Sequence, residues 1–402
     1  MNAPRTWMPR GARAWGASIG AILLFALTLV IGVCMTLPLP WDGLGKLGAA
    51  ALAYPLHILF ITATATVLAV ISRVRRVRLA LWLYAASAGL SAIMAILPAH
   101  TQWARAEHRG VSVSMWQYVL YAAHANIGNP RHDLSATYGT SPNGWILELD
   151  VWRSGLGETG PLRPAMILLH GGAWTHGHRS LTPDWDRWLN SLGYEVFDVA
   201  YRLPTAAQER DEVGDVKSAL GWVADHAAEY HVDPRRISVM GSSAGGNLAM
   251  LAAYTAGDTL LAPSTNVPIV QPRTVIALYA PVELTRLYDS TASPAYLRSH
   301  LRQYIGGAPA EMRERYRALS PLSFVSPRSP PTLAFFGTSD RIVPEAQAVL
   351  LAAAMKTSSV AGEVIMLPTA DHGFDTNWGS FATQLARARI QAFLAQYDPS
   401  TD

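Results

Sequence analysis

Three stretches without a single Asp, Glu, Lys or Arg open the chain, at residues 14–41, 47–72 and 79–99. Each supplies the ~20 apolar residues needed to cross about 30 Å of hydrocarbon. One such run would also suit a buried core helix, but three in succession, separated by short polar breaks, predict transmembrane helices over about 17–37, 49–71 and 79–98. The third is the richest in Ala and Ser. A cleaved signal peptide is the rival for the first; Arg5, Arg10 and Arg13 resemble its basic start, yet no small-x-small cleavage site follows and further spans do. The pattern predicts an uncleaved anchor, with residues 1–100 as a membrane region.

Residues 101–140 read as a linker or juxtamembrane segment. Within it, residues 115–127 are too short to span and rich in aromatics, which suits a helix at the membrane surface, a flap or a packed helix. After Gly144 the pattern changes. Residues 145–152 alternate in places like an antiparallel strand, whereas 165–169 and 195–199 are short apolar runs suited to a parallel sheet. Residues 211–230 carry Val213, Val216, Leu220 and Val223 at helical spacing. Further strands are expected at 237–240, 274–279, 332–336 and 363–367. This alternation predicts an α/β domain over 141–402, a mostly parallel sheet with helices on both faces, and a lid-like insertion at about 281–331.

Composition supports the split. Hydrophobic residues make up 50% of the chain against 15% charged, apolar-rich for a soluble protein. The densest basic cluster, Arg73, Arg75, Arg76 and Arg78, lies between two apolar runs and reads as a topology signal rather than as nucleic-acid binding. With three spans, the positive-inside rule puts the N-terminus and this cluster in the cytoplasm and the large domain outside. Loss of the third span would reverse that placement. The lone cysteine, Cys34, excludes an intrachain disulfide.

The candidate chemistry centres on residues 237–246, where an apolar run breaks into Gly241-Ser242-Ser243-Ala244-Gly245 and then into a helix-forming stretch. That is the pattern of a nucleophile elbow, with Ser243 on a tight turn and the N–H of Ala244 at a helix start. A serine hydroxyl needs a base within hydrogen-bond reach and a group to orient the base. His372 and Asp340 each follow a strand candidate and complete the order Ser, acid, His. Asp371 competes as the acid, but it adjoins His372 and would have to fold back onto the ring. His170-Gly171-Gly172-Ala173-Trp174 follows residues 165–169 and can turn backbone N–H groups into the site; His170 would brace that loop. His176-Gly177-His178 lacks a third zinc ligand at a recognisable spacing.

These motifs, with Tyr201-Arg202-Leu203, Asp233-Pro234-Arg235-Arg236-Ile237, Gly337-Thr338-Ser339-Asp340 and His372-Gly373-Phe374, occur in the order found in the α/β-hydrolase superfamily. The last two-thirds of the chain is similar to its esterase/lipase group, which includes hormone-sensitive-lipase-like carboxylesterases and acetyl-xylan and feruloyl esterases. The resemblance implies an α/β-hydrolase fold, Ser243 as nucleophile with Asp340 and His372 as partners, and an oxyanion hole from the backbone of Gly172, Ala173 and Ala244. It implies no metal and no organic cofactor. The expected activity is that of a membrane-anchored serine carboxylesterase acting on a small-molecule or lipid ester through an acyl-enzyme. Ala173 stands where many members have a third glycine, a position at which kynurenine-formamidase-like members also vary. Amidase, arylformamidase or peptidase chemistry therefore stays open, as do acyl transfer to a sugar or lipid alcohol and a non-catalytic binding role. Tyr288, Tyr296, Tyr304 and Tyr316 of the insertion are expected to pack or to contact substrate.

Overall fold

In the computed structural model the described residues are 11–37, 39, 41–122, 124, 132–141, 143–157, 159–203, 211–290 and 295–399. The chain divides into two compact units, one of residues 1–122 with 379–381 and one of residues 123–378 with 382–402.

The first unit holds three helices long and apolar enough to cross a membrane, Ala12–Thr36, Pro55–Val74 and Arg78–His108. Two boundaries differ from the sequence expectation. The second expected span, 49–71, is interrupted: a helix Lys46–Ala53 ends at Tyr54 and the chain restarts at Pro55. Proline has no N–H to donate and disfavours helical ψ in the residue before it; Tyr54 has ψ 50°. The third helix continues past 98 through an internal Pro98 to His108, 31 residues in all. At 1.5 Å per residue that is roughly 46 Å, more than a bilayer core needs. Its extra turns bear Gln102, Arg105 and Glu107.

Small residues let these helices approach closely. A Cβ on Gly20 would stand 2.9 Å from Tyr84 Oη, and one on Gly32 would stand 3.3 Å from Met94 Sδ. Thr62 Oγ1 and Ser91 Oγ share a hydrogen bond of 2.8 Å between helices. A short helix, Met115–Leu120, is capped by Ser114 Oγ accepting from Gln117 N at 3.3 Å. Of the 115–127 segment, residues 123 and 125–127 lie outside the described residues, as do Arg5 and Arg10.

The second unit is built on an eight-stranded sheet: β1 (Leu134–Thr140), β2 (Ile146–Trp152), β3 (Arg163–Leu169), β4 (Glu195–Val199), β5 (Val232–Ser242), β6 (Val275–Leu278), β7 (Thr332–Gly337) and β8 (Gly362–Leu367). Their order across the sheet is β1-β2-β4-β3-β5-β6-β7-β8. β1–β2 and β2–β4 pair antiparallel and the remaining pairs are parallel. This is the α/β-hydrolase fold. Residues 165–169 are buried throughout, because helices cover both faces of the central strands. β1 is the strand the sequence pattern does not disclose: Ser135, Thr137 and Gly139 dilute its apolar content, and its register breaks between Thr137 and Gly139. The helix expected over 211–230 ends at Asp225. The insertion after β6 folds into helices Leu284–Asp289, Ala295–Ile305 and Arg313–Ala318. Its residues 291–294 lie outside the described residues.

Candidate active site

Parallel strands deliver the loops at their C-terminal ends to one edge of the sheet, and the chemistry gathers there. β5 runs into the elbow and the helix Ala244–Tyr254 leaves it. Ser243 sits between them at φ 53°, ψ −119°, a conformation that L residues rarely adopt and that persists only where the surroundings enforce it. Its N–H donates to Leu278 O at 2.8 Å and its carbonyl accepts from Asn247 N at 3.0 Å. The flanking glycines are sterically required. A Cβ on Gly241 would come within 2.4 Å of Gly245 C, and one on Gly245 within 2.3 Å of Leu169 O.

Opposite the serine, the loop after β8 brings in His372 and the loop after β7 brings in Asp340. His372 Nε2 lies 2.9 Å from Ser243 Oγ, and His372 Nδ1 lies 2.9 Å from Asp340 Oδ2. Asp340 Oδ1 accepts from the N–H groups of Ile342 and Val343 at 2.8 and 2.7 Å, which fixes the carboxylate plane. Asp371 does not face the imidazole. Its Oδ1 accepts from Arg341 N and His372 N, and its Oδ2 takes Arg341 Nη1 at 2.6 Å. Burial works against charging the His372 ring, but Asp340, by charge and hydrogen bond, with Asp371 and Asp375, more than offsets it, so its pKa is raised. Burial, reinforced by the charge of Asp340, pushes the Asp371 carboxyl up to about 6 against the pull of Arg341.

The loop after β3 closes the third side. Gly172 lies at φ 130°, and a Cβ there would overlap the His176 carbonyl at 1.8 Å. Ala173 and Trp174 follow at φ 49° and 61°, left-handed positions where glycine would be easier. Thr175 N and His176 N both donate back to Gly172 O, curling the loop. Among the described residues none accepts from the N–H of Gly172, Ala173 or Ala244. His170 braces the loop: its ring stacks on Tyr201 at 4.3 Å, its Nδ1 bonds Gly171 O, and Tyr201 Oη donates to His170 O. Burial lowers its pKa to about 4, so it is neutral at pH 7. A hydroxyl, an imidazole and a carboxylate in one hydrogen-bonded line, beside unpaired N–H groups, can relay a proton while a charge develops on a neighbouring oxygen.

The BD-FAE family profile matches residues 149–355, just over half of the chain. The chain belongs to the BD-FAE family. Among curated proteins it is similar to the probable carboxylic ester hydrolase LipM of Mycobacterium tuberculosis, 28% identical over 94% of this chain and 93% of LipM. Esterase LipQ of the same organism is 30% identical over 58% of this chain and 56% of LipQ. Among solved structures, Thermogutta terrifontis esterase 2 phosphonylated by sarin superposes with a TM-score of 0.58 and 27% identity, over 68% of this chain and 98% of that one. The propionate-bound form gives 0.56 and 26%, over 67% and 96%. This BD-FAE member is an ester hydrolase of the serine type.

Several residues that shape the BD-FAE site carry no motif in the sequence. Asn247, on the helix after Ser243, accepts from Trp174 Nε1 at 3.2 Å and donates to Pro281 O and Leu319 O, tying the glycine loop to the root of the insertion. Tyr279, at φ 40°, places its ring 4.6 Å from that of His372 and donates to Asp375 Oδ1 at 2.7 Å. Asp375 also accepts from Trp185 Nε1 at 2.7 Å. Of the insertion tyrosines, Tyr304 lies flat on Trp174 at 4.7 Å and Tyr316 is fully buried, so both pack. Tyr296 instead meets His300 at 4.4 Å, and the His176 ring stands 5.5 Å from His300. His178 Nδ1 turns to Arg179 O.

Proposed function

We propose that this protein is a membrane-anchored serine carboxylesterase in which Ser243, His372 and Asp340 act as nucleophile, general base and orienting acid. The observation that carries the reading is the position of one imidazole, 2.9 Å from the serine hydroxyl on one side and 2.9 Å from a carboxylate on the other. Asp340 holds the proton of Nδ1, which leaves Nε2 free to accept. As Ser243 Oγ bonds to the ester carbonyl carbon, His372 Nε2 takes the hydroxyl proton. The carbonyl oxygen becomes an oxyanion, held by the N–H groups of Gly172, Ala173 and Ala244. Loss of one such donor costs typically about 3–4 kcal/mol.

His372 then returns its proton to the departing alkoxide, the C–O bond breaks and an acyl-serine is left. Water repeats the sequence with His372 as base, releasing the acid and restoring Ser243. The helices Ala12–Thr36, Pro55–Val74 and Arg78–His108 are the anchor. Arg13, Arg73, Arg75, Arg76 and Arg78 mark the cytoplasmic side and put the catalytic domain outside.

The test is hydrolysis of p-nitrophenyl esters, acetate to long chain, by the full chain in detergent, beside Ser243→Ala. Wild type is expected to turn over and Ser243→Ala to lose at least about 10³-fold. The Thermogutta neighbour carries organophosphorus adducts, so a fluorophosphonate probe is expected to label wild type and not the variant. Equal activity in both proteins would refute the assignment. Labelling without ester turnover would redirect it to amides or acyl transfer. For topology, Lys356→Cys in a Cys34→Ala background should react with an impermeant maleimide on intact cells. Reaction only after lysis would reverse the orientation.

A further inference from the structure

The two residues that flank the acid and the base, Arg341 after Asp340 and Asp371 before His372, form a second cross-link between the same loops. Both side chains are almost wholly buried, at 6% and 3% exposure for the residues, so the pair is held out of water. Arg341 Nη1 donates to Asp371 Oδ2 at 2.6 Å, and Asp371 Oδ1 takes the backbone N–H of Arg341 at 3.0 Å and of His372 at 2.8 Å. The loops are also joined by Ser339 N to Ala370 O at 3.0 Å and Thr369 N to Thr338 Oγ1 at 2.9 Å. They run so close that a Cβ on Gly337 would strike Ala370 O at 2.2 Å.

The charges that act on His372 come from Asp340 on the loop after β7, from Asp371 on its own loop and from Asp375 in the turn Phe374–Thr376; Arg341 bonds Asp371, and the ring itself meets Asp340, Tyr279 from the end of β6 and Ser243. Three carboxyl groups thus surround one base, and Arg341 is paired with one of them. A buried pair of this kind is a poor source of stability, because desolvation cancels much of the attraction. Its geometry suits another task.

We propose that Arg341 and Asp371 are a positioning pair: Asp371 grips the backbone N–H of His372 to set the ring between Ser243 and Asp340, and Arg341 neutralises the carboxylate that this grip requires beside the base. Without Asp371 the N–H of His372 loses this acceptor. Without Arg341 the Asp371 carboxyl, already raised to about 6 by burial and the charge of Asp340, would rise further and take up a proton, weakening the grip. The inference rests on the Ser243–His372–Asp340 reading above.

The experiment measures kcat, KM and the pH dependence of kcat/KM for the full chain in detergent, as wild type, Arg341→Met, Arg341→Lys, Asp371→Asn, Arg341→Met/Asp371→Asn and Ser243→Ala. Arg341→Met is expected to lower kcat about 10- to 100-fold with KM within about twofold, as for a small misplacement of the base. It should also move the acid limb of kcat/KM up by about one unit, because Asp371 must now lose its proton at higher pH before it grips the His372 backbone. Arg341→Lys should restore the limb and part of kcat. The double variant should restore the limb and leave kcat low.

Wild-type kcat and an unmoved limb in Arg341→Met would overturn the proposal. So would a loss of activity that comes with a lowered melting temperature and an unmoved limb, the mark of a merely structural pair. If Arg341→Met does not fold, Asp371→Asn decides: kcat down about tenfold and the acid limb shifted to lower pH support the pair, and an unchanged profile refutes it. Ser243→Ala separates the two readings. Activity surviving there removes the triad, whereas a dead Ser243→Ala beside a normal Arg341→Met removes only the positioning pair.

Discussion

Replacing Asp340 by Asn changes one atom and should nearly silence the enzyme. Asp340 Oδ1 accepts from Ile342 N and Val343 N at 2.8 and 2.7 Å, and an amide oxygen in the same place keeps both bonds. The amide nitrogen is then the atom left 2.9 Å from His372 Nδ1. It donates, so Nδ1 must accept, and the ring proton moves to Nε2. That nitrogen faces Ser243 Oγ at 2.9 Å and can no longer take its proton. A wrong tautomer of this kind costs about 10⁴-fold in kcat, or about 5 kcal/mol of barrier, while the fold stays intact.

The pH profile gives a second, independent readout. Asp340 is the strongest of the groups that raise the His372 pKa against burial. The base works in its neutral form, so kcat/KM rises with pH through that pKa. Removing Asp340 leaves burial less opposed, lowers the pKa and moves the acid limb of the residual activity to lower pH. The assay is p-nitrophenyl ester hydrolysis from pH 5 to 9 by the full chain, with circular dichroism and a thermal melt as controls for folding. A kcat within tenfold of wild type, or a large loss with the limb unmoved, would refute the reasoning.

Asp186 is fully buried beside Asp198 and, beyond its own backbone N–H, finds no hydrogen-bond partner among the described residues. Burial raises its pKa, so its stability contribution is fully present below the unfolded value of about 3.9 and is lost as pH rises toward the folded one. Asp186→Asn should stabilise by about 1–3 kcal/mol at pH 7 and by less at pH 4.5, read by thermal melts at both; a loss, or an equal gain, counts against it. Tyr304 Oη is buried without a hydrogen-bond partner among the described residues, while its ring stacks on Trp174. Tyr304→Phe should therefore melt at or slightly above wild type, whereas Tyr304→Ala should lose about 3–5 kcal/mol. Gly245→Ala would press a methyl into Leu169 O at 2.3 Å and His170 O at 2.4 Å. It should abolish fluorophosphonate labelling of Ser243, and normal labelling would show that the elbow tolerates a Cβ.

Much of the sheet was legible from local pattern. β4 matches its expected span residue for residue, with Glu195 and Asp198 buried inside it, and β3, β7 and β8 extend theirs by one or two residues; the pattern is clearest in the middle of β3 and β7, apolar because helices cover both faces of the central strands. β1 was not legible: it lies at the sheet edge, where half its side chains meet water and Ser, Thr and Gly serve. The break at Pro55 could have been read from the proline itself, whereas the run of the third helix through Pro98 could not, since proline in a long helix is tolerated only where neighbours make up for the lost bond.

At the site, the sequence by itself determined which residue types stand at the ends of which strands. Strand order and the glycine turns need only near neighbours, and Ser243, Asp340, His372 and the Gly172–Ala173 loop could be picked out on that basis. Only the tertiary structure decided which carboxylate meets the imidazole. Asp340 and Asp371 are both close to His372 in space, but the direction in which each side chain leaves its loop gives Nδ1 to Asp340 and leaves Asp371 to Arg341 and to the His372 backbone. The contacts of Tyr279, Asp375 and Asn247 arise the same way, from elements distant in sequence. Periodicity and motif spacing record what a residue's neighbours along the chain require, whereas a hydrogen bond between loops depends on how the whole sheet has been assembled.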